Sequence, residues 1–134
     1  MKHKDTLDEV VSLVNNSING YYIAGDVRDL LVSKKLNMTF VAKNLSYLVD
    51  NVSSNQFARL MNFISREEEI SNSMPQNLGA FLARFKKHDI SDEEIETFFI
   101  VFKCLPDSDK YLKSNLGKII DSVNAGVLFE LSPE

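Results

Sequence analysis

Apolar residues recur along this chain at spacings of three and four, with short polar breaks between the runs. That spacing is the mark of amphipathic helices. The strongest run lies between Ile90 and Leu105. Ser91-Asp92-Glu93-Glu94 has the S-x-x-E form of a capping box, in which the Ser91 hydroxyl accepts from the Glu94 amide and the Glu94 side chain reaches back to the Ser91 amide. Asp92, Glu93 and Glu94 also place negative charge at the positive end of the helix dipole. Ile95, Phe98, Phe99, Phe102 and Leu105 follow on one stripe, widened by Ile100 and Val101, so this helix is predicted to be enclosed by its neighbours. Full burial of these side chains contributes at most about 10–20 kcal/mol before entropy is subtracted. Pro106 ends the helix, because it disfavours helical geometry at Leu105 and has no amide hydrogen.

The other runs fit the same scheme. Thr6-Leu7-Asp8-Glu9 is a second capping box, opening a helix with Leu7, Val10, Val11, Val14 and Ile18 inward and Gly20 as a left-handed stop. Tyr21-Tyr22-Ile23-Ala24 reads as an ordered connector or a single helical turn. Asp26 is predicted to cap a second helix carrying Val27, Leu30 and Leu31. A third runs from Asn37 or Thr39 to Val52, with Phe40, Val41, Leu45, Leu48, Val49 and Val52 on its apolar face. Ser53 and Gln56 stand at capping-box spacing before a fourth, whose stripe is Phe57, Leu60, Met61 and Ile64. Glu67-Glu68-Glu69 is expected at the C-terminal end of that helix, where acidic charge opposes the dipole. Pro75 begins a fifth, with Leu78, Phe81, Leu82 and Phe85 inside. Beyond the Ile90–Leu105 helix, Asp107 or Ser108 caps a last long one, with Tyr111, Leu112, Leu116, Ile119, Ile120 and Val123 inward and Gly126 at its close. Val127 to Leu131 follows as an apolar tail. The expectation is an all-α protein: a single compact bundle of about six or seven short helices, with residues 1–134 forming one domain.

Composition narrows this picture. A chain of 134 residues buries a proper core without metal or disulfide staples. With 44% hydrophobic residues, five Gly and three Pro, it suits neither long disordered arms nor a turn-rich β-sandwich. The lone Cys104 has no partner for an internal disulfide, and within the Ile90–Leu105 helix it is expected to be a buried, inert thiol. The first residues are basic but precede no apolar run, and no segment approaches a membrane span, so a soluble cytoplasmic protein is expected. The net charge of −4 is unevenly divided. Residues 1–66 carry eight Lys or Arg against six Asp or Glu, whereas residues 67–134 carry seven against thirteen.

Candidate chemistry is sparse. His3 and His88 have no metal-ligand spacing with each other, with Cys104 or with a carboxylate, so no metal and no cofactor is expected. Neither a nucleophile elbow nor a phosphate-cradling glycine loop is present. Carboxylates are the one rich resource, and helix-end acids without apolar neighbours in register read as a solvated face or a docking surface, not as acid–base catalysts. The leading expectation is a non-enzymatic binding module that masks a basic protein partner, with Glu67, Glu68, Glu69, Asp92, Glu93 and Glu96 as its contact residues. Small inhibitors and immunity proteins offer an analogy of size and charge alone. The alternative is a helix-turn-helix regulator using the N-terminal half, in which Asn55, Gln56, Arg59 and Asn62 would read base edges. Tyr21-Tyr22 and the 127–131 tail either pack across the bundle or form an interaction patch.

Overall fold

The computed structural model describes residues 3–18 and 22–130, apart from the side chains of Phe129 and Glu130. Among them are eleven α-helices and no strand. They are α1 (Lys4–Asn15), α2 (Ile23–Ser33), α3 (Met38–Lys43), α4 (Leu45–Asn51), α5 (Phe57–Arg66), α6 (Glu68–Ser71), α7 (Leu78–Lys86), α8 (Asp92–Lys103), α9 (Ser108–Ser114), α10 (Leu116–Ser122) and α11 (Ala125–Glu130). Short 3-10 turns at Ser54–Gln56 and Pro75–Asn77 lead into α5 and α7. The all-α class follows from the periodicity, but the count of six or seven does not hold. Two predicted helices are broken in the middle, and α6 and α11 form where a linker and a tail were expected.

Asparagine makes both breaks. Asn44 separates α3 from α4, and its side-chain amide donates to the Phe40 carbonyl at 2.8 Å. Asn115 separates α9 from α10 and donates to the Tyr111 carbonyl at the same distance. Both residues sit just outside helical geometry, at φ −118° and ψ 23° for Asn44 and φ −116° and ψ 15° for Asn115. An asparagine amide competes with the backbone for the carbonyl four residues earlier, which offers the chain a stable way to leave the helix. The second break resets the rotational phase of the last predicted helix. Leu116 and Ile120, expected inward, are therefore exposed, and α10 buries only Ile119 and Ser122.

Several helix starts also differ from their sequence signatures. α1 begins at Lys4, and the His3 carbonyl accepts from the Thr6 and Leu7 amides, so Thr6 is a buried interior residue instead of the cap. α1 ends before Ile18, which lies 91% exposed instead of inward. α2 begins at Ile23, which puts Asp26 in its first turn instead of at its cap. Ser53 makes no side-chain cap hydrogen bond: the Gln56 amide donates to the Ser53 carbonyl at 2.9 Å, and the Gln56 side chain donates to the Asn15 carbonyl. Glu67 stands at the C-terminal end of α5 as expected, but it also precedes α6, so Glu68 and Glu69 occupy that helix's first turn, where acidic charge is favourable. Gly126 lies inside α11 and closes nothing, while Gly20 and Tyr21 fall outside the described residues. Among the described residues the left-handed positions belong to His3, Lys35, His88 and Asp107.

α8 opens as predicted, with the Ser91 hydroxyl accepting from the Glu94 amide at 3.3 Å. Ile95, Phe98, Phe99 and Phe102 are buried. Phe98 is the hub of an aromatic cluster, with ring centroids 4.4 Å from Phe81, 5.3 Å from Phe85, 4.9 Å from Phe99 and 5.6 Å from Phe102. Edge-on and tilted pairs of this kind add to the area each ring removes from water. The enclosure is not complete: Ile100 is 66% exposed, and Cys104, one turn further along the same outer face, is exposed as well. The expectation of a buried thiol fails because position 104 points away from the Phe98–Phe102 stripe. Buried apolar side chains from Leu7 to Val127 form one cluster, so the start of the tail packs inward. Phe129 and Leu131 lie outside the described side chains.

Arg84 is an unexpected member of that interior. It is 5% exposed, and its Nη1 donates to the carbonyls of Val49 at 2.9 Å and Asp50 at 3.2 Å. Its Nη2 lies 2.9 Å from Asp89. One guanidinium thus satisfies orphan carbonyls at the end of α4 and joins α4 to α7.

Candidate functional site

Two acidic runs flank α5. Glu67–Glu69 follow its last residue, and Glu94 in the first turn of α8 shares a small cleft of about 190 Å³ with Asn62 and Ser65 of α5. The six predicted contact carboxylates divide by what the fold does with them. Glu67 is largely enclosed and accepts from Arg28 Nη2 at 2.7 and 2.9 Å. Glu69 accepts from the Thr39 hydroxyl at 2.5 Å, and Asp92 accepts from the Asn124 amide at 2.8 and 3.1 Å. These three join α6 to α2 and α3, and α8 to the segment before α11. Glu68 and Glu93 are exposed, and their carboxylates have no hydrogen-bond or ion-pair partner among the described residues; Glu96 is half-buried, its carboxylate likewise without one. Glu94 does not close the capping box from its side: its Oε2 is buried with no partner among the described residues.

The Glu67–Glu69 run lies over a cleft of about 440 Å³ whose lining includes Leu31, Leu36 and Met38. Val32, 71% exposed, stands on its edge. Carboxylates beside an apolar floor form a surface suited to a long basic side chain, whose stem covers carbon while its head meets charge.

The four residues named as base readers are largely engaged within the fold. Gln56 Nε2 donates to the Asn15 carbonyl at 2.9 Å, and Arg59 Nε donates to Gln56 Oε1 at 2.8 Å. Asn62 Oδ1 accepts from Arg66 Nε at 2.8 Å, while Asn55 is exposed. α5 buries Phe57, Leu60, Met61, Phe63 and Ile64.

Ionisable groups with displaced pKa values cluster at one exposed place. The Tyr47 hydroxyl donates to Asp8 Oδ1, and Lys4 Nζ donates to Asp8 Oδ2 at 2.9 Å. The Tyr47 hydrogen bond, with Lys4 second, holds the Asp8 carboxyl below its usual range. The same bond to Asp8 pushes the Tyr47 hydroxyl up, and Asp8 likewise raises Lys4. This trio ties α1 to α4 at the surface.

Among the described residues no group of three or more His, Cys, Asp or Glu could hold a metal ion, and no helix is long and apolar enough to cross a membrane. His3 packs edge-on against Phe40 at 5.7 Å, and His88 is an exposed left-handed residue after α7. In comparisons with known proteins, no family model, no curated protein and no solved structure matches the chain.

The periodicity did not single out a second acidic surface, between α1 and α2. There Glu9, Asp26 and Asp29 share a cleft of about 420 Å³ with Leu13 and Leu30. The signal was present: both helices carry carboxylates at helical spacing beside their apolar stripes. Only the packing of α1 on α2 brings the two sets together.

Proposed function

We propose that this chain is a non-enzymatic cytoplasmic module that binds a basic protein partner through acidic clefts, as an inhibitor or immunity-type protein masks its target. The observation that carries this reading is the cleft at α6, where unpartnered Glu68 stands beside Leu36, Met38 and the exposed Val32. Glu93 and Glu96 place further carboxylates near the start of α8. Lys and Arg side chains suit such a cleft, and the net charge of −4 steers a basic partner toward it. The internal bonding of Gln56 and Arg59 weighs against a base-reading role for α5.

The test begins with affinity capture from the native source and continues with titration calorimetry on the partner obtained. Affinity should fall as salt rises, and Glu68→Lys/Glu93→Lys/Glu96→Lys should weaken binding at least about tenfold. Binding that is indifferent to both salt and charge reversal overturns the reading.

A further inference from the structure

α1 and α2 form an antiparallel pair whose outer furrow is acidic along its rims and apolar along its floor. Two clefts, of about 420 and 520 Å³, share Ser12, Leu13 and Asp26 and so run together along the pair. One end lies near Glu9, Asp29 and Leu30; the other reaches Ile18 and Ile23 beside the connection between the helices. Among the described residues, three carboxylates and no Lys or Arg line this furrow. Asp26 and Asp29 are exposed with no hydrogen-bond or ion-pair partner among the described residues, and Glu9 has only Lys34, at 3.9 Å. Ile18, 91% exposed, adds an apolar contact at the open end.

From this geometry we infer that the α1–α2 furrow docks a basic amphipathic helix of a partner protein. The inference rests on the binding reading above and names a second surface and the shape of what it takes. A groove between two helices accepts a third helix through apolar residues at i, i+3, i+4 and i+7. Leu13 and Leu30 receive those anchors, and Lys or Arg on the flanks of the incoming helix meet Glu9 on one rim and Asp26 and Asp29 on the other. An acidic helix would bring like charges to both rims. A polar basic segment would leave the floor uncovered. The combination selects a helix that is apolar on one face and basic at its borders.

The probe is a labelled peptide of Leu and Lys, about 18 residues long, with Leu at helical spacing. A scrambled peptide of the same composition serves as control, and both are titrated onto the full chain. The amphipathic peptide should bind at least about tenfold tighter than the scrambled one, and Asp26→Lys/Asp29→Lys should remove most of that difference. Both positions are exposed, and circular dichroism checks that the double variant is folded. Amide shifts should centre on Ser12, Leu13, Asp26 and Leu30, and Ile18→Ser should weaken binding without unfolding the protein. Equal binding of the two peptides, or no effect of the Asp26→Lys/Asp29→Lys change, overturns the inference. If only Glu68→Lys/Glu93→Lys/Glu96→Lys abolishes binding, the furrow is wrong while the reading of an acidic binding module stands. Concentration-dependent dimerisation that shifts the furrow amides makes a second copy the occupant and also overturns it.

Discussion

The Arg84 guanidinium donates to the Val49 carbonyl at 2.9 Å across 35 positions of sequence, so a charge inside the protein terminates a helix of another element. Asp89, partly open to solvent, balances the charge from the outer side. Replacing Arg84 with Met keeps the stem but leaves the Val49 and Asp50 carbonyls without their donor. Arg84→Met should destabilise the fold by about 2–3 kcal/mol, below the range for breaking a fully buried pair because water reaches Asp89. Arg84→Lys should recover little, since an ammonium cannot span both carbonyls and Asp89 with fixed geometry. Denaturant unfolding checks both; a loss under about 0.5 kcal/mol for Arg84→Met would remove the capping role.

The orientation of α8 makes a paired prediction. Phe98, touching four other aromatic rings, should cost about 3–5 kcal/mol when cut to Ala. Ile100, two residues on and 66% exposed, should stay within about 0.5 kcal/mol of wild type as Ile100→Ala. Equal losses at the two positions would mean that α8 is buried all round, as its composition alone implies.

Cys104 shares that outer face, and its thiol is exposed while donating to the Ile100 carbonyl at 3.4 Å. A maleimide should therefore modify the native protein stoichiometrically, at a rate close to that in denaturant. Protection that lifts only on unfolding would return Cys104 to the interior.

Lys35 holds φ 59° just after α2, where the Leu36 amide donates to the Leu31 carbonyl at 2.8 Å. This is a left-handed helix stop built on a residue with a Cβ. Lys35→Gly should raise stability by about 0.5–1 kcal/mol, relief of the left-handed strain exceeding the extra chain entropy of Gly. Lys35→Ala keeps the strain and should bring no gain. Thermal melts of the two variants side by side decide it.

The Lys4–Asp8–Tyr47 trio gives the stability profile two limbs. Asp8 has a lowered pKa in the folded protein, so its contribution is present above pH 3.8 and lost as pH falls through the folded value. Tyr47 has a raised pKa, so its contribution is present below pH 10.0 and lost as pH rises through the folded value. In Asp8→Asn the Tyr47 hydroxyl should titrate closer to 10.0, which NMR of its ring resonances across an alkaline titration would show. An unchanged Tyr47 titration would mean that the two groups do not interact in solution.

The share of the architecture legible in the sequence is the share that depends on near neighbours. Apolar spacing of three and four specified helices, and the inner stripes of α5, α7 and α8 follow directly from it. The Ser91 cap was legible because both of its atoms lie within one turn. Asn44 and Asn115 also act locally, but an asparagine inside an apolar pattern is compatible with a helix as well as with its end. Packing of the flanking segments selects between them.

The candidate site was only half legible, for a reason of range. Sequence alone determined that the chain is helical and where its carboxylates are concentrated. It could not determine which carboxylates remain available, because Glu67 meets Arg28 from 39 positions away and Asp92 meets Asn124 from 32. Nor could it bring Glu9 of one helix beside Asp26 and Asp29 of the next. Helical period fixes which face of each segment turns inward, since that depends on rotation about a single axis. Which outer faces become neighbours depends on how separate axes cross, and the tertiary structure alone decided that.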